Sequence, residues 1–534
     1  MTINIAFNVL SSNAINALTG IKRGIEKESL RVTPQARLSQ KPHPHALGSS
    51  LTHPFITTDF SESLIELITG THQSVPALIA ELHDIHQYTY ACLEDELLWA
   101  NSMPCFIEKE EDIAIADYGS SHTGQIKNIY RRGLGLRYGR MMQTISGIHF
   151  NLSFSENFWE AIKQDSSNNG DLQAFINKQY FGIIRNVQRF SWILSYFLGC
   201  SPFIPRALAH PSAASLQSFD QHTLFAPKAT SLRLSDVGYN NHDHNQLHIC
   251  YEQLETYLKT MRQALKTSHP PFEALGLRDG HGYKQLNNHF LQIENEYYSA
   301  IRPKRIGLKG ERPIIALENY GVEYVEVRVI DLNAFSPIGI TESQVRFLDM
   351  FLLACRQLES PFFTKDETQA INQNKQKVAL DGLEPTQDLT IFGLTHSQKN
   401  WTKWFLIWIK NTAAYFDKAY TTTAYTETFH EYETMLLNPE ALPVNQLKLA
   451  MKAFCTDTAD TADSPDQFSA FTLEQSKKAA AYFAKHATSK LVYAQKDHAF
   501  YQQLAQQSHL KQQQLEKESK LSSFDSYLAR YLET

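Results

Sequence analysis

The stretch GIEKESLRV, residues 24–32, places Glu26 and Glu28 two positions apart among residues that favour a β-strand. Side chains two apart in a strand project from the same face, about 6.8 Å from each other. At an effective dielectric of about 20, the repulsion between two such carboxylates is on the order of 2 to 3 kcal/mol. Any fold of this chain must therefore provide solvent, a shared proton or a cation between the two groups.

Composition limits the classes of protein to which this chain can belong. Its 534 residues are 43% hydrophobic and 11% aromatic, which is enough apolar material for a large buried core. The 50 lysine and arginine residues are nearly balanced by 56 acidic residues, so the formal net charge is only -6. So small a charge does not predict the broad basic surface that binds nucleic acid or an acidic membrane. Small molecules are therefore the expected partners.

Targeting and membrane signals are weak in this sequence. The start of the chain lacks a basic segment followed by an apolar core, so a secretory signal is not predicted. The most apolar run, FSWILSYFLGC at residues 190–200, is too short to span a bilayer and is predicted to be a buried helix. The six cysteines include no C-x-x-C pair, as expected of thiols in a reducing compartment. We therefore expect a cytoplasmic protein.

The pattern of secondary-structure signals divides the chain into two parts. Residues 20–350 alternate strand-like and helix-like segments, whereas residues 350–534 are mostly helical and poor in strand signals. We therefore expect a catalytic core over residues 1–350 and a mostly helical part over residues 351–534 that packs on it, or one continuous domain that includes both.

Several local patterns predict secondary structure outside the acidic segments. Apolar residues at helical spacing predict a helix over residues 75–99, and the tail from residue 472 is rich in helix-forming residues. Residues 364–390 are expected to form an irregular connection, and the polar segment 456–467 a surface loop or a linker. The stretch GLGLRYG at residues 133–139 is predicted to be a turn, because it matches no phosphate-binding glycine motif.

A second acidic group lies in the stretch ITTDFSESLIELITG. Asp59 followed by Glu62 has the D-x-x-E spacing of a helix N-terminus, so a helix is predicted to begin there. Its apolar stripe would contain Phe60, Leu64, Leu67 and Ile68, and the adjacent acidic stripe Asp59, Glu62 and Glu66. Taken alone, the segment favours a simpler interpretation in which Asp59 caps the helix and the glutamates face water.

Two further segments alternate between apolar and polar residues, as strands with one buried face do. In GVEYVEVRVIDLN, Glu326 and Arg328 share one face and valines occupy the other. In SGIHFNLSF, His149 and Asn151 lie opposite a row of apolar residues. Each segment also has an ordinary interpretation, because an ion pair at a surface contributes little and a lone histidine is more often hydrogen-bonded than metal-bound.

Together the four segments predict a carboxylate-lined cavity. Each would turn an apolar face towards a core and an acidic or ligating face away from it. If the polar faces meet, their oxygen ligands and one imidazole suit Mg²⁺ or Mn²⁺ better than zinc or copper. The spacing of the residues does not establish that the faces meet.

Eight sequence blocks resemble one known family. In chain order they are GIEKESLRV, TTDFSESLIELIT, SMPCFI, YGSSHTGQIKNIYRRGL, RYGRMMQTISGIHFNLSF, ATSLRLSDVGY, LQIENEYYSAIRPKR and GVEYVEVRVIDLNAFSPIG. In wording, order and spacing they closely resemble the bacterial type of glutamate–cysteine ligase over most of residues 20–350. The resemblance implies an α+β fold in which a curved antiparallel sheet forms a funnel-like active site with helices packed outside, akin to the catalytic core of glutamine synthetase.

The resemblance also implies an activity. Such enzymes use ATP as co-substrate and Mg²⁺, or Mn²⁺ as an alternative, to phosphorylate the γ-carboxylate of L-glutamate and join it to the amino group of L-cysteine, the first step of glutathione biosynthesis. Carried over by motif, the metal ligands would be Glu26, Glu28, Asp59, Glu66, His149 and Glu326. Glu326 and Arg328 would be the catalytic residues, with Arg328 facing the transferred phosphoryl group.

The same resemblance implies substrate contacts. The amino-acid pocket would contain Tyr130, Arg233, Tyr239, Gln143 and Asn151. Phosphate or nucleotide contacts would come from Arg131, Arg328, Arg302, Lys304 and Arg305. For the IRPKR cluster, a solvated basic loop is an equally good interpretation.

Two other functions could use the same residues. A metal-dependent phosphohydrolase would combine the acidic cavity and the arginine with water as the nucleophile. A sensor of amino acids or nucleotides would keep the pocket without turnover, which the intact acidic residues argue against. The ligase hypothesis predicts L-glutamate, L-cysteine and ATP as partners, no nucleic acid or membrane, and a monomer.

Overall fold

The fold combines helices with an antiparallel sheet around a large hydrophobic core. A computed structural model of the chain describes residues 7–209, 216–238, 247–308, 310–384, 386–457, 466–486 and 496–533. The predicted α+β class is confirmed, and the main sheet is open. The funnel shape and the likeness to the core of glutamine synthetase stay predictions.

The sheet that positions the candidate site has seven strands in the described ranges, and its paired neighbours are antiparallel. In the part of the chain that the structure describes, the strands are β1 (Lys22–Val32), β2 (Ile56–Thr58), β3 (Leu64–Ile68), β4 (Leu97–Leu98), β5 (Ile148–Ser153), β6 (Phe203–Pro205), β7 (Gln217–Ser218), β8 (Thr223–Phe225), β9 (Arg278–Asp279), β10 (Gly282–Tyr283), β11 (Ile301–Lys304), β12 (Tyr324–Ile330), β13 (Asp388–Ile391) and β14 (Leu394–Ser397). The main sheet has the order β11-β12-β5-β1-β3-β2, and β4 pairs with the end of β1.

Helices cover the apolar side of the sheet and make up most of the second half of the chain. They are α1 (Ser12–Ala17), α2 (Val75–Cys92), α3 (His122–Tyr138), α4 (Glu156–Asp165), α5 (Leu172–Leu198), α6 (Leu254–Lys266), α7 (Pro270–Ala274), α8 (Pro313–Tyr320), α9 (Glu342–Gln357), α10 (Lys365–Asp381), α11 (Gln398–Tyr420), α12 (Ala424–Leu437), α13 (Pro443–Asp457), α14 (Gln467–His486), α15 (His498–Ser519) and α16 (Phe524–Leu532).

The main sheet has one apolar and one ionic face, because side chains alternate along each strand. On the apolar face Ile25, Phe150 and Val327 are fully buried and lie in register across β1, β5 and β12. Helix α5 packs against β12, and α2 packs against β1 and β3. Burial of each such side chain contributes about 1.5 to 3 kcal/mol. The apolar face therefore fixes the register and, with it, the direction of the ionic face.

The segment predicted to be a helix from Asp59 is a turn followed by strand β3. The Leu64 N–H donates to the Ser61 carbonyl oxygen at 3.0 Å, and β3 then pairs with β1 on one side and β2 on the other. Glu62 accepts hydrogen bonds from backbone N–H groups and does not share a stripe with Glu66. The helix prediction is wrong because pairing with two distant strands overrides the local spacing.

Two other local predictions are also wrong. Residues 364–390 contain the regular helix α10 and most of strand β13 instead of an irregular connection. Residues 133–138 form the end of helix α3 instead of a turn, and Gly139 follows it with a φ of 80°. There Gly133 allows close packing, since an added Cβ would lie 2.2 Å from Oε1 of Gln292.

The remaining local predictions are mostly confirmed. Within residues 75–99 the helix α2 ends at Cys92, and residues 190–198 of the apolar run belong to the buried half of α5. The tail from residue 472 is helical in its described part. Most of the polar segment 456–467 lies outside the described residues.

The predicted boundary at residue 350 falls inside helix α9. The largest hydrophobic cluster contains residues from both sides of it, among them Ile25 and Phe405. The division into two parts stays a prediction. Among the described helices none is both long and apolar enough to cross a membrane. All six cysteines fall within the described ranges and are unpaired.

Candidate active site

Neighbouring strands place acidic and ligating side chains in one row on the ionic face of the sheet. The register pairs Glu28 of β1 with Glu66 of β3, and Glu26 of β1 with His149 of β5. Side chains directly opposed in antiparallel strands have Cβ atoms about 4.5 to 5.5 Å apart. Three of the segments that the sequence pattern treats separately therefore meet across β3, β1 and β5.

Glu26, Glu66 and His149 form the centre of this row. One ligand atom from each lies within 4.8 Å of the others, which is close enough for a shared metal ion. Oε2 of Glu26 is 3.1 Å from Nδ1 of His149, and its Oε1 accepts a 2.9 Å hydrogen bond from Nδ2 of Asn151. In the described part of the chain, no other group of three such side chains has this spacing.

The carboxylates of the row differ in pKa. Burial raises the pKa of Glu66 well above its usual range, and the charges of Glu26, Asp59 and Glu28 raise it further. Burial likewise raises the pKa of Glu28. Burial opposes the ionisation of Glu26 as well, but the hydrogen bond with His149 holds its pKa below the usual value. The side of the row at Glu28 and Glu66 therefore favours a bound proton or cation.

Glu326 lies at a cationic edge of the row, opposite Asn151 on β5 and Arg302 on β11. Nζ of Lys304 is 2.9 Å from its Oε1, and Nη1 of Arg328 is 3.1 Å from its Oε2. Burial opposes the ionisation of Glu326, but Lys304 and Arg328 hold its pKa well below the usual range. The same Nη1 of Arg328 lies 3.5 Å from Nδ1 of His149, so this arginine connects the cationic edge to the metal-capable centre.

Asp59 and helix α3 border the opposite side of the row. Arg131 donates a hydrogen bond to the backbone carbonyl of Asp59, and its guanidinium lies 4.6 Å from the ring centre of Tyr118. One turn earlier, Nζ of Lys127 lies 4.9 Å from the same ring. Burial, and then the charge of Arg131, lower the pKa of Lys127 to about 8. Lys127 thus acts on the charges of Asp59 and Glu66, while Arg131 binds the backbone of Asp59.

Tyr130 and Gln143 also lie close to this part of the sheet. Tyr130 is half-buried on α3, where it packs on a small hydrophobic cluster that includes Ile129 and Leu528 of the C-terminal helix α16. Burial raises the pKa of Tyr130 well above its usual value. Gln143 is buried in the turn that leads into β5.

Arg233 reaches the row from the segment that follows β8. Its guanidinium lies against Gly147, where an added Cβ would be 1.9 Å from Nη2. Nη2 donates a 3.1 Å hydrogen bond to the carbonyl oxygen of Arg328, and Nη1 is 3.6 Å from Oδ1 of Asp331. Tyr239, the remaining member of the predicted amino-acid pocket, lies outside the described residues.

The sequence allows two interpretations of the IRPKR cluster, a group of phosphate contacts or a solvated basic loop, and its residues lie in two different places. Arg302 and Lys304 face Glu326 and so lie at the cationic edge of the row. Arg305 instead lies 3.8 Å from Glu323 and 5.5 Å from the ring of Tyr320, so the structure does not bring it into the row.

Three further residues of the site escape the sequence patterns. Lys127 precedes Arg131 by one helical turn. A helix prediction for this segment would have placed Lys127 on the same face as Arg131. Tyr298 is half-buried close to the charges of Arg233 and Arg328, and desolvation raises its pKa. Asp331 follows β12, and simple alternation from Glu326 would place it on the opposite face.

A groove of about 1120 Å³ opens at one end of the same face. Lys22 and Ser153, which are opposite each other on β1 and β5, contribute to its wall. They lie four residues along their strands from Glu26 and His149, or about 14 Å. Arg305 and Glu323 also line the groove.

The donor set of the row fits a hard divalent cation. Carboxylate oxygens and one imidazole suit Mg²⁺ or Mn²⁺, whereas a structural zinc site would favour thiolates and several imidazoles. The raised pKa values of Glu28 and Glu66 are what an uncompensated cluster of carboxylates produces. The residues that would hold the ion are therefore Glu26, Glu66 and His149, with Glu28, Asp59 and Glu326 next to them.

Comparison with known proteins gives one consistent result. The sequence model of the glutamate–cysteine ligase family matches residues 7–378. The glutamate–cysteine ligase of Alcanivorax borkumensis is 45% identical over 445 residues, which cover 82% of this chain and 85% of that protein. The corresponding protein of Pseudomonas paraeruginosa is 40% identical over 514 residues, 96% of this chain and 94% of its own.

The fold agrees with that result. The crystal structure of the Francisella tularensis glutamate–cysteine ligase in complex with AMP superposes with a TM-score of 0.87 at 32% identity, and covers 99% of each chain. The likeness extends across both halves of the present chain, so it includes the helical C-terminal part in which the sequence blocks are sparse. This chain therefore belongs to the glutamate–cysteine ligase family and is an enzyme of that family.

Proposed function

We propose that the protein joins the γ-carboxylate of L-glutamate to the amino group of L-cysteine with ATP and Mg²⁺, through a γ-glutamyl phosphate. The products would be γ-glutamylcysteine, ADP and phosphate, and the reaction would be the first step of glutathione biosynthesis. The observation that carries the proposal is the row from Glu66 through Glu26 and His149 to the cationic edge at Arg328. It combines ligands for a divalent cation with a fixed cation for a phosphoryl group.

The reaction requires this combination. A carboxylate resists attack by an amine because oxide is a poor leaving group, and phosphorylation replaces it with phosphate. The bound Mg²⁺ would supply charge neutralisation at the phosphate oxygens. Arg328 is held by Glu326 so that its guanidinium remains at the edge of the row, where charge on the transferred group would develop. Lys304 also pairs with Glu326, so that this carboxylate shares its charge between two cations.

We propose that the nucleotide lies along the ionic face and extends into the groove at Lys22 and Ser153. The distance of about 14 Å from the metal-capable centre to that pair is comparable to the length of an extended nucleoside triphosphate. The AMP complex of the Francisella tularensis relative supports a nucleotide site in this fold. Arg302 and Lys304 lie at the same edge of the sheet and would contact phosphates.

We propose that the acceptor amino acid binds between Arg233 and helix α3. Nε and Nη1 of Arg233 are buried and have no hydrogen-bond acceptor among the residues that the structure describes. A guanidinium with free donors is suited to a carboxylate. Tyr130, Gln143 and Asn151 would form the remaining walls, and Tyr239 stays a predicted member of the pocket.

Two rival functions use fewer of these features. A phosphohydrolase needs the acidic row but has no use for a buried arginine that is suited to an amino-acid carboxylate. A sensor without turnover does not account for the tightly paired Glu326 and Arg328. The cytoplasmic location and the monomeric state stay predictions.

Release of ADP by the purified protein, measured with Mg²⁺ and L-glutamate, tests the proposal. We expect release to depend on L-cysteine, with γ-glutamylcysteine formed in equal amount by mass spectrometry. Equal ADP release with and without L-cysteine would favour the phosphohydrolase, and no ADP release at saturating substrates would favour the sensor. Either result would overturn the ligase assignment.

A further inference from the structure

We propose that Asp331 is a positioning residue that orients Arg233 towards the carboxylate of the acceptor amino acid. The inference rests on the proposed function, because it assigns a role within the acceptor pocket. Asp331 touches no predicted substrate group itself. It would act through the guanidinium of Arg233, whose Nη1 lies 3.6 Å from Oδ1 of Asp331.

A β-bulge explains how Asp331 reaches the ionic face. Val327 of β12 is opposite Phe150 of β5, but Ile330 is opposite Ile148, so β12 contains one more residue than β5 over this interval. The extra residue shifts the alternation of side chains beyond it. Ile330 therefore points to the apolar face, where it is fully buried, and Asp331 follows on the same face as the acidic row. Bulges recur next to active sites because they redirect side chains in this way.

The carboxylate of Asp331 is held by several donors. Its side chain is fully buried, and Oδ2 accepts hydrogen bonds from the backbone N–H of Cys200, at 2.8 Å, and from the hydroxyl of Ser201. Oδ1 accepts a 3.1 Å hydrogen bond from the hydroxyl of Ser231, which precedes Arg233 by two residues. Asp331 thus fixes both the segment that carries Arg233 and the charge that faces its guanidinium.

The guanidinium of Arg233 is held but not saturated. Nη2 donates to the carbonyl oxygen of Arg328, while Nε and Nη1 have no acceptor within hydrogen-bond distance among the described residues. The 3.6 Å separation from Asp331 supplies charge balance without occupying those donors in a short hydrogen bond. A buried cation with unused N–H groups can donate a charge-assisted hydrogen bond to a carboxylate. Asp331 would keep that cation in place before the amino acid arrives.

The test is a double-variant cycle of Asp331→Asn and Arg233→Lys, with Michaelis constants measured for L-cysteine, L-glutamate and ATP. Asparagine keeps the size of the side chain and one acceptor oxygen but removes the charge. We expect each single variant to raise the KM for L-cysteine by about tenfold, the effect of losing one charge-assisted contact, and to leave the other two constants within about twofold. In the double variant Asp331→Asn should add nothing further, because its effect passes through Arg233.

Asp349→Asn is the matched control. Asp349 is a fully buried aspartate that pairs with Arg23 at 2.7 Å, and Arg23 projects from the apolar side of β1. This variant should lower the melting temperature to a similar extent without changing the KM for L-cysteine. A rise in KM with Asp349→Asn equal to that with Asp331→Asn would show that loss of stability alone explains the effect, and would overturn the proposal.

Other outcomes are equally decisive. Independent effects that multiply in the double variant, equal rises in all three Michaelis constants, or no change in Asp331→Asn would each refute the positioning role. If Asp331→Asn fails to fold, Ser231→Ala replaces it in the same cycle, since it releases the Arg233 segment while Asp331 keeps its charge. If the wild-type protein does not require L-cysteine for ADP release, the proposed function itself fails, and that result is visible before any variant is measured.

Discussion

Glu28 and Glu66 lie directly opposite each other on two neighbouring antiparallel strands, so two carboxylates share one patch of the sheet. Burial and the surrounding negative charges raise both pKa values, most strongly that of Glu66. Glu26, only two residues from Glu28, has a lowered pKa because His149 is hydrogen-bonded to it. The repulsion implied by the sequence is therefore concentrated between β1 and β3.

Because the pKa of Glu66 is raised and that of Glu26 is lowered, we expect glutamine at these two positions to have opposite effects on the stability of the metal-free protein. A raised pKa means that a carboxylate contributes stability only at low pH and opposes folding once it ionises, so Glu66→Gln should raise the melting temperature at pH 7. A lowered pKa means that the ionised form stabilises the fold, so Glu26→Gln should lower it. Thermal unfolding in the presence of a chelator measures both effects. Changes of the same sign in the two variants would contradict this account.

Both variants should also lose turnover in the presence of Mg²⁺. Each removes a ligand oxygen while it nearly conserves side-chain volume, and we expect turnover to fall by about 100-fold. The melting-temperature shift on addition of Mg²⁺ should shrink in parallel. Normal turnover with an unchanged Mg²⁺ dependence would remove Glu26 and Glu66 from the ligand set.

Arg328→Lys should impair catalysis although it keeps the positive charge. Arginine presents a planar fork that contacts Glu326 at 3.1 Å and can hold phosphate oxygens at the same time, whereas lysine is a point charge on a flexible stem. We expect turnover to fall by about 100-fold with little change in the KM for ATP, because the contact strengthens in the transition state. A rise confined to the KM for L-glutamate would move Arg328 into the substrate pocket.

The strands that carry the site were predictable because their apolar and polar residues alternate. This holds for β1, β5 and β12, whose apolar faces are buried as expected. Strand β3 was not predictable in the same way, because five residues with apolar neighbours on both sides match a helix as well as a strand. Only the pairing of Glu66 with Glu28, far apart in sequence, decides between them.

The face of the sheet to which an individual side chain points was less predictable than the strands themselves. Alternation assigns Glu326 and Arg328 to the ionic face, but the bulge in β12 inserts one residue before Asp331 and reverses the pattern. No local residue type in VRVID signals that insertion. Gly133 likewise indicates a turn by its type, yet it is helical, and the close approach of Gln292 leaves no room there for a side chain. Tertiary contacts decide both cases.

Gly147→Ala should displace Arg233. An added Cβ would lie 1.9 Å from Nη2, and the buried guanidinium has little room to withdraw. We expect the KM for L-cysteine to rise by about tenfold or more, with a smaller effect on the KM for ATP. Gly280→Ala is the control, because nothing lies within 4 Å of a Cβ at that position, and it should behave like the wild type. A normal KM in Gly147→Ala would argue against Arg233 as an acceptor contact.

Outside the row, Glu81 of α2 joins three parts of the chain. Its Oε2 accepts hydrogen bonds from Nε2 of His72, at 2.7 Å, and from the backbone N–H of Gly70, at 2.6 Å, while Oε1 pairs with Lys496 just before α15. Burial opposes its ionisation, but His72 and Lys496 lower the pKa of Glu81 to about 2.

Glu81→Gln should therefore weaken the protein at neutral pH and matter little in acid. A depressed pKa contributes stability that is present above the usual value of 4.5 and is lost as the pH falls towards 2. We expect the variant to lose roughly 2 kcal/mol of unfolding free energy at pH 7, after allowance for the partly exposed Lys496, and the difference from the wild type to shrink between pH 4.5 and 2. Denaturant unfolding across this pH range measures the difference in unfolding free energy.

The control is Glu94→Gln, which alters an exposed pair with Lys41 and should have almost no effect at any pH. A difference that stays constant down to pH 2.5 would mean that the packing of Glu81, and not its charge, stabilises the junction.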